Sequence, residues 1–301
     1  MCFNIVIINV YKKTPKDNVI DKILSVIDYE AQLNHHGYSI HYVSYDREYV
    51  LRTLDYKKFR EELEKLLNTP FRLIHIHLRL ASAGSIDEQN VHMWKVGDYR
   101  VSHNGHVSSY GYRYHYRIGE SIQLISLAGD SDTKKLVDDP EFQKHLIEHN
   151  LEKLGVLLMN KGFWGVMFAS SPDNLIMISK EKSIKVYYYK GLLMFVNDDV
   201  RRFLEEVKEI GATIVSRIWH NTFENQIVLY DVNRLEPINV VYFSEIKKMM
   251  FEIKKFEVKK EEVKKEFKKH KREKRYRYLD DEEWEEELWL RGYYYDGEEL
   301  W

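Results

Sequence analysis

The chain has 301 residues, of which 44% are hydrophobic and 14% are aromatic, so it can bury a core and is not a disordered protein. Its 46 Lys and Arg residues nearly balance its 48 Asp and Glu residues, and the net charge of -2 argues against a chain that binds polyanions over its whole surface. The single cysteine, Cys2, excludes a disulfide scaffold and a zinc site built from cysteines.

Apolar patterning predicts strands and helices in the first hundred residues. Segments that are rich in β-branched residues, or that alternate between apolar and polar positions, predict strands at 3–9, 38–45, 71–80 and 99–103. Apolar residues at helical spacing predict two helices, over 17–33 and 56–67.

The next part of the chain predicts a long helix and then a group of short strands. The helical stretch runs from about 133 to 155, and a further helix is predicted over 198–209. Strands are predicted at 163–169, 174–179, 184–189, 191–196, 226–231 and 238–243. This grouping of strands and helices indicates an α+β layered domain rather than repeated βαβ units.

The composition changes near residue 244, which predicts a globular domain over 1–243 and an appendage over 244–301. Residues 245–277 contain 15 basic and 7 acidic side chains, with a broken apolar stripe that is typical of an exposed basic helix. Residues 279–301 have ten acidic side chains and one Arg, interleaved with aromatic ones. The simplest interpretation is a basic helix that folds back on its own acidic, aromatic tail.

No segment resembles a membrane span or a signal peptide. None approaches the roughly 18 consecutive apolar residues that a membrane-spanning helix needs. The opening residues also lack the basic region and the cleavage site of a signal peptide. A cytoplasmic protein without a membrane partner is therefore expected.

Cys2 becomes the first residue of the protein if Met1 is removed. An N-terminal cysteine combines a thiol nucleophile with an α-amine whose pKa is about 7.7–8.0, so the amine can accept the thiol proton near neutral pH. The alternative is that Cys2 is a small apolar residue at the start of a core strand.

Several short motifs follow Cys2 in order. They are His36-Gly37-Tyr38-Ser39, His77-Leu78-Arg79-Leu80-Ala81-Ser82-Ala83-Gly84, Asn90-Val91-His92, His103-Asn104-Gly105 and Ser131-Asp132-Thr133. Their order and spacing, over residues 2–243, resemble the class II glutamine amidotransferases, which are N-terminal-nucleophile hydrolases. The resemblance implies a four-layer αββα sandwich, here followed by the charged helical tail.

The same resemblance implies roles for the matching positions in a glutaminase reaction. Cys2 would attack the side-chain amide of glutamine, and Asn104 with the backbone N–H of Gly105 would form the oxyanion hole. The substrate-binding residues that it implies are Arg79 for the α-carboxylate, Ser82 beside it, Asp132 for the α-ammonium, His92 and His103. A guanidinium is well suited to a bidentate grip on a carboxylate.

Each of these positions also has a structural interpretation. Arg79 on an alternating strand can extend its charge to solvent, Asn104-Gly105 is a hairpin signal, and Asp132 can cap a helix. His77 and His103 can be hydrogen-bonded sheet residues that shape the pocket. A metal cluster of His75, His77, His92 and His103 is the weaker interpretation, because no carboxylates converge with them, and no cofactor is expected.

The sequence departs from the family pattern at several positions. Phe3 stands where a glycine is usual, Ala83 where a histidine is common in sugar-phosphate aminating members, and Met93 where a proline is usual. The resemblance implies glutamine as substrate, but the tail is too short for a domain that consumes ammonia. The protein is therefore expected either to deliver ammonia to a separate acceptor subunit or to hydrolyse a γ-glutamyl amide outright. The alternative is a catalytically degenerate protein that acts through its tail, with 254–277 as the only segment that would bind nucleic acid.

Overall fold

The computed structural model describes residues 2–110, 117–118, 121–122, 129–198, 200, 213–214, 222–251, 261 and 265. The chain divides into two compact units, Met1–Ile246 and Lys247–Trp301. In the second unit, the described residues 247–251, 261 and 265 are helical. The basic helix and acidic tail predicted from the sequence lie almost entirely outside the described residues, as does the helix predicted over 198–209.

The first half of the chain forms six strands and two helices. The strands are β1 (Phe3–Asn9), β2 (Tyr38–Val43), β3 (Glu48–Thr53), β4 (Leu73–Leu78), β5 (Trp94–Val96) and β6 (Tyr99–Val107), and the helices are α1 (Asp17–Leu33) and α2 (Tyr56–Leu67). Short 3-10 helices lie at Glu88–Asn90 and Ser108–Tyr110. The predicted helices and four predicted strands are confirmed, whereas β3 and β5 are additional.

The second half is also a mixture of helices and strands. Its helices are α3 (Asp132–Val137), α4 (Pro140–Ile147) and α5 (Leu151–Asn160). Its strands are β7 (Arg117–Ile118), β8 (Ser121–Ile122), β9 (Phe163–Ser170), β10 (Asn174–Tyr189), β11 (Leu192–Val196), β12 (Thr213–Ile214), β13 (Thr222–Asp231) and β14 (Glu236–Tyr242). Residues 243–251 continue as a helix.

The long helix predicted over 133–155 is wrong, because the chain forms three short helices there. Asp139 caps α4, accepting from the backbone N–H groups of Glu141 and Phe142, and Pro140 occupies the first turn. Asn150 caps α5 in the same way. Proline lacks the backbone N–H that a helix interior needs, and cap residues favour the start of a new helix. The helix is therefore broken at two places, although the apolar spacing continues through both.

Strand β10 is one continuous strand where the sequence predicts two. Its first half pairs with β9 and β13, and its second half pairs with β11. The register shifts between Ser179 and Ser183, which marks a bulge in the pairing with β13. The long strand therefore belongs to both halves of the antiparallel sheet.

Four layers follow from the alternation of side chains along β1. Phe3, Ile5 and Ile7 lie in a core with the apolar residues of α1 and α2. Val6 and Ile8 face the opposite way and lie in a second core with residues of β9, β10 and β13. Helix α5 contacts β9, β13 and β14. The predicted α+β, αββα sandwich is confirmed, with the second core between its two sheet layers.

Among the described residues, no helix combines the length and the apolar character that crossing a membrane requires.

Glu30 is a buried carboxyl on α1 whose ionisation should limit stability. It is 7% exposed, and burial, aided by the nearby Asp198, raises its pKa to about 7. The folded protein thus holds this proton more tightly than an unfolded chain, in which the pKa is 4.5. Ionisation of Glu30 therefore lowers the free energy of unfolding, and this loss increases between about pH 4.5 and about pH 7. We expect Glu30→Gln to leave the free energy of unfolding unchanged at about pH 4 and to raise it by roughly 1–2 kcal/mol at about pH 8.

Urea unfolding at the two pH values measures this difference. Glu61→Gln, at an exposed position of α2, is the matched control and should change neither value. An equal effect of Glu30→Gln at both pH values would contradict the explanation, because a change in packing alone does not depend on this proton.

Candidate active site

Cys2 precedes β1 and is held on two sides. Its thiol donates to the carbonyl oxygen of Leu80 at 3.4 Å and accepts from the backbone N–H of Leu80 at 3.3 Å. The side-chain amide of Asn197 donates to the Cys2 carbonyl oxygen at 3.0 Å. Burial raises the pKa of the Cys2 thiol, while the Leu80 amide and the nearby positive groups oppose the shift. The thiol therefore needs a base to become a nucleophile at neutral pH.

Arg79 lies immediately before Leu80 and is buried, with 2% exposure. Its guanidinium donates to the carbonyl oxygens of Ala83 and Ser85, each at 2.9 Å. The alternative in which Arg79 extends to solvent is therefore wrong. Burial lowers the pKa of Arg79, and the nearby Cys2, Asp87 and Asp132 groups counteract that shift, so a thiolate and two carboxylates lie within electrostatic range of this cation.

The loop after Arg79 is tied to the segment that leads into α3. Asn90 accepts from the backbone N–H of Ser131 at 2.7 Å and donates to the carbonyl oxygen of Gly129 at 3.0 Å. Gly84 packs so closely on this segment that a Cβ atom would lie 2.6 Å from the Ser131 nitrogen. Ser82, in the same loop, is exposed and makes no side-chain hydrogen bond to any residue that the structure describes.

Asp132 is the first residue of α3 and is 6% exposed. Its carboxylate accepts from the backbone N–H of Val107 at 2.6 Å and from that of Thr133 at 2.8 Å. The interpretation of Asp132 as a helix cap is wrong, because Ser131 is the N-cap of α3. Burial raises the pKa of Asp132, and within the described part of the chain no cation lies within ion-pair distance of it. An incoming ammonium would compensate for that burial.

Asn104 and Gly105 lie inside β6, paired with Val166 and Gly165 of β9, so the hairpin interpretation is wrong. Asn104 is 3% exposed, yet its side chain makes no hydrogen bond to any described residue. A Cβ atom at position 105 would overlap the Trp164 carbonyl oxygen and lie 2.7 Å from the Cα atom of Gly165. Glycine is thus required by the close approach of β9, and among the described residues no hydrogen-bond partner competes with a ligand for the Asn104 amide.

His103 has both ring nitrogens engaged within the protein. One contacts the hydroxyl of Thr133 at 2.9 Å, and the other donates to the carbonyl oxygen of Trp164 at 3.1 Å. Burial lowers the pKa of His103 to about 3, so the ring is neutral. The prediction of His103 as a substrate-binding residue stays a prediction, and in this structure both of its ring nitrogens serve contacts within the protein. Its contacts favour the interpretation as a sheet residue that joins β6 to α3 and β9.

His92 is also held mainly by protein contacts. Its Nδ1 accepts from the backbone N–H of His103 at 3.2 Å, and its ring stacks on that of His77 at 3.8 Å. Burial holds the pKa of His92 well below its usual range. Since Nδ1 is an acceptor, the neutral ring has its proton on Nε2, which leaves one donor for a ligand.

No group of three or more His, Cys, Asp and Glu side chains in the described part of the chain is placed to hold a metal ion. His75, a member of the alternative metal cluster, contacts Ser170 with Nδ1 at 2.7 Å and Ser102 with Nε2 at 2.6 Å. Both of its ring nitrogens therefore serve hydrogen bonds.

Lys182 and Asn197 belong to the site although the sequence motifs do not include them. Lys182 lies in the bulged part of β10, where its ammonium stands 4.4 Å over the ring of Trp164. Burial lowers the pKa of Lys182, and the negative charge of a Cys2 thiolate opposes that shift. No local sequence pattern predicts either residue as part of the site. The position of Lys182 depends on a bulge in β10, and that of Asn197 depends on the pairing of β11 with β1.

No protein-family model matches the sequence, and no curated protein matches it either. Among solved structures, the chain is similar to glutamine phosphoribosylpyrophosphate amidotransferase from B. subtilis, with a TM-score of 0.45 and 9% identity over 80% of this chain and 49% of that one. It is similar to an allosteric regulatory enzyme of purine biosynthesis, with a TM-score of 0.47 and 10% identity over 80% and 49%. The chain is also similar to a glutamine aminotransferase class-II domain protein from Silicibacter pomeroyi. The TM-score is 0.38, and the sequences are 11% identical over 81% of this chain and 99% of that one. The chain spans about half the length of the first two proteins.

Proposed function

We propose that the protein hydrolyses the side-chain amide of glutamine with Cys2 as an N-terminal nucleophile. The observation that carries the proposal is the position of the buried Arg79 guanidinium, next to the Leu80 backbone that holds the Cys2 thiol and within electrostatic range of Asp132. Glutamine has an α-carboxylate, an α-ammonium and a side-chain amide. Arg79, Asp132 and Cys2 supply a cation, an anion and a nucleophile that match these three groups.

Removal of Met1 must precede the reaction, because it frees the amine of Cys2. That amine accepts the thiol proton, and the thiolate forms a bond to the amide carbon of glutamine. The negative charge that develops on the amide oxygen is stabilised by the Asn104 side chain and the Gly105 N–H. The protonated amine then gives its proton to the leaving nitrogen, so that ammonia departs and a thioester remains.

Water completes the cycle. The free amine of Cys2 takes a proton from water as the hydroxide attacks the thioester, and the proton passes to the departing thiolate. The products are glutamate and the regenerated thiol. Arg79 and Lys182 near the sulfur favour its negative form, which lowers the cost of both the attack and the departure. Where the ammonia is used in a biosynthetic reaction, it would pass to a separate acceptor subunit.

An electrophilic diazoketone analogue of glutamine tests the proposal directly. We expect the intact mass of the purified protein to show loss of Met1 and a gain equal to one analogue molecule less N₂, because the thiol displaces dinitrogen from the diazoketone. Excess glutamine should prevent that addition. Cys2→Ala should take up none, because Cys2 is the only cysteine. Ser44→Ala, in the turn after β2, is a control that should label fully.

Either of two outcomes would contradict the proposal. A protein that keeps Met1 attached has no free amine at Cys2 and lacks the base that the mechanism needs. Labelling of the Cys2→Ala variant to the same extent as the wild type would place the reactive group elsewhere.

A further inference from the structure

A buried polar cluster lies between the two sheet layers, just below the candidate site. It comprises Asn4, His41, His75, Ser102 and Ser170, none of which is exposed. The hydroxyl of Ser102 donates to Asn4 Oδ1 at 2.8 Å. His75 contacts Ser102 at 2.6 Å and Ser170 at 2.7 Å, and Ser170 contacts His41 at 2.8 Å. Buried polar groups at these distances hold a single arrangement, because breaking one hydrogen bond leaves a group without a partner.

Two members of this cluster, Asn4 and Ser102, each lie two residues from a proposed catalytic residue. Asn4 follows Cys2 by two residues at the start of β1, and Ser102 precedes Asn104 by two residues in β6. Residues two apart along an extended strand lie on the same face, roughly 6.5–7 Å from one another. The hydrogen bond between Ser102 and Asn4 therefore joins β6 to β1 at a point two residues from Asn104 on one strand and two residues from Cys2 on the other.

Asn197 adds a second hold on the nucleophile. Its side chain donates to the carbonyl oxygen of Cys2 at 3.0 Å and accepts from the backbone N–H of Asn4 at 2.6 Å. Cys2 is thus fixed by its own carbonyl, and Asn4 is fixed by both its backbone and its side chain. Ser102 makes the connection from this anchored segment to the strand that carries Asn104.

We infer that Ser102 and Asn197 are positioning residues, which set the distance between the Cys2 thiol and the Asn104 amide through Asn4. The inference rests on the proposed glutamine hydrolysis. His75 contacts both partners of this hydrogen bond, since its Nε2 lies 2.6 Å from the Ser102 hydroxyl oxygen and 3.1 Å from Asn4 Oδ1. Neither residue needs to touch glutamine, so substrate binding by Arg79 and Asp132 should be insensitive to them.

The test compares three substitutions in the full-length protein. Misplacing a reacting group by about 1 Å costs about a hundredfold in rate, so Ser102→Ala should lower the kcat of glutamine hydrolysis about 10- to 100-fold, with a KM within about twofold of wild type. Ser102→Thr keeps the hydroxyl and should recover most of that loss. Asn197→Ala lies at a partly exposed position, where folding is less at risk, and should also lower kcat rather than raise KM.

The outcomes separate this inference from the function on which it rests. Unchanged kcat in both Ser102→Ala and Asn197→Ala, with the wild type active, overturns the inference alone. A rise in KM that equals the fall in kcat, or a Ser102→Thr variant as slow as Ser102→Ala, also overturns it. A wild type that neither takes up the diazoketone nor hydrolyses glutamine overturns the proposed function and this inference together.

Discussion

Alanine at position 105 should destabilise the protein by roughly 3–5 kcal/mol, which is in the range of the largest effects of single substitutions. The added Cβ would overlap the Trp164 carbonyl oxygen and lie 2.7 Å from Gly165 Cα, so strand β9 would have to move away from β6. That movement would also disturb the buried contact between His103 and the Trp164 carbonyl. The midpoint of urea unfolding, followed by circular dichroism, measures the loss.

Gly129→Ala is the matched control for this substitution. Gly129 has a φ of +72, where alanine is strained, but no atom of the described residues lies within 4 Å of an added Cβ. Its cost should therefore be about 1 kcal/mol, from backbone strain alone. Equal losses for Gly105→Ala and Gly129→Ala would show that the close approach of β9 to β6 does not constrain the sheet.

Replacement of Asn104 by alanine should lower the kcat of glutamine hydrolysis by about 10²–10³-fold, the usual effect of losing one oxyanion donor. The side chain is buried and makes no hydrogen bond to a described residue, so its removal breaks no hydrogen bond within that part of the protein. KM should change little, because the donor acts on charge that develops only in the transition state. Release of glutamate at several glutamine concentrations separates the two parameters.

A matched asparagine is available at the end of α2. Asn68 donates to the backbone carbonyl oxygen of Glu64 and is exposed, so Asn68→Ala should leave both kcat and KM unchanged. If Asn104→Ala raised KM with an unaltered kcat, Asn104 would be a group that binds the substrate, and the oxyanion role would have to be assigned elsewhere.

The elements with clear periodicity were predictable from the sequence, and those that depend on pairing were not. Strand β1 and helix α1 have uninterrupted apolar patterns and are found at their predicted bounds. Strand β3 mixes exposed, half-buried and buried positions at the edge of the sheet, so its residues show no clear alternation. The two short predicted strands at 174–179 and 184–189 are one strand, because the residues between them stay paired or bulged against β13.

The candidate site divides in the same way. Cys2, Arg79, Asn104 and Asp132 come from short motifs whose residue types suit the chemistry of an amide and an amino acid. The ring of His103 is held by Thr133 and Trp164, which lie 30 and 61 residues away in the chain. Ser102 and Asn197 likewise acquire their places through contacts with Asn4 that no local pattern encodes.

The location of β1 within the sheet determines when the site can exist during synthesis of the chain. This first strand lies between β4 and β11, and its pairing with β11 joins Ile5 to Val196. Pairing across so many residues is slow, because the loop must close before the contacts form. Cys2 gains its Asn197 partner only when almost two hundred residues have been made. A folding intermediate that lacks β11 would thus hold Cys2 without the hydrogen bond from Asn197 to its carbonyl oxygen.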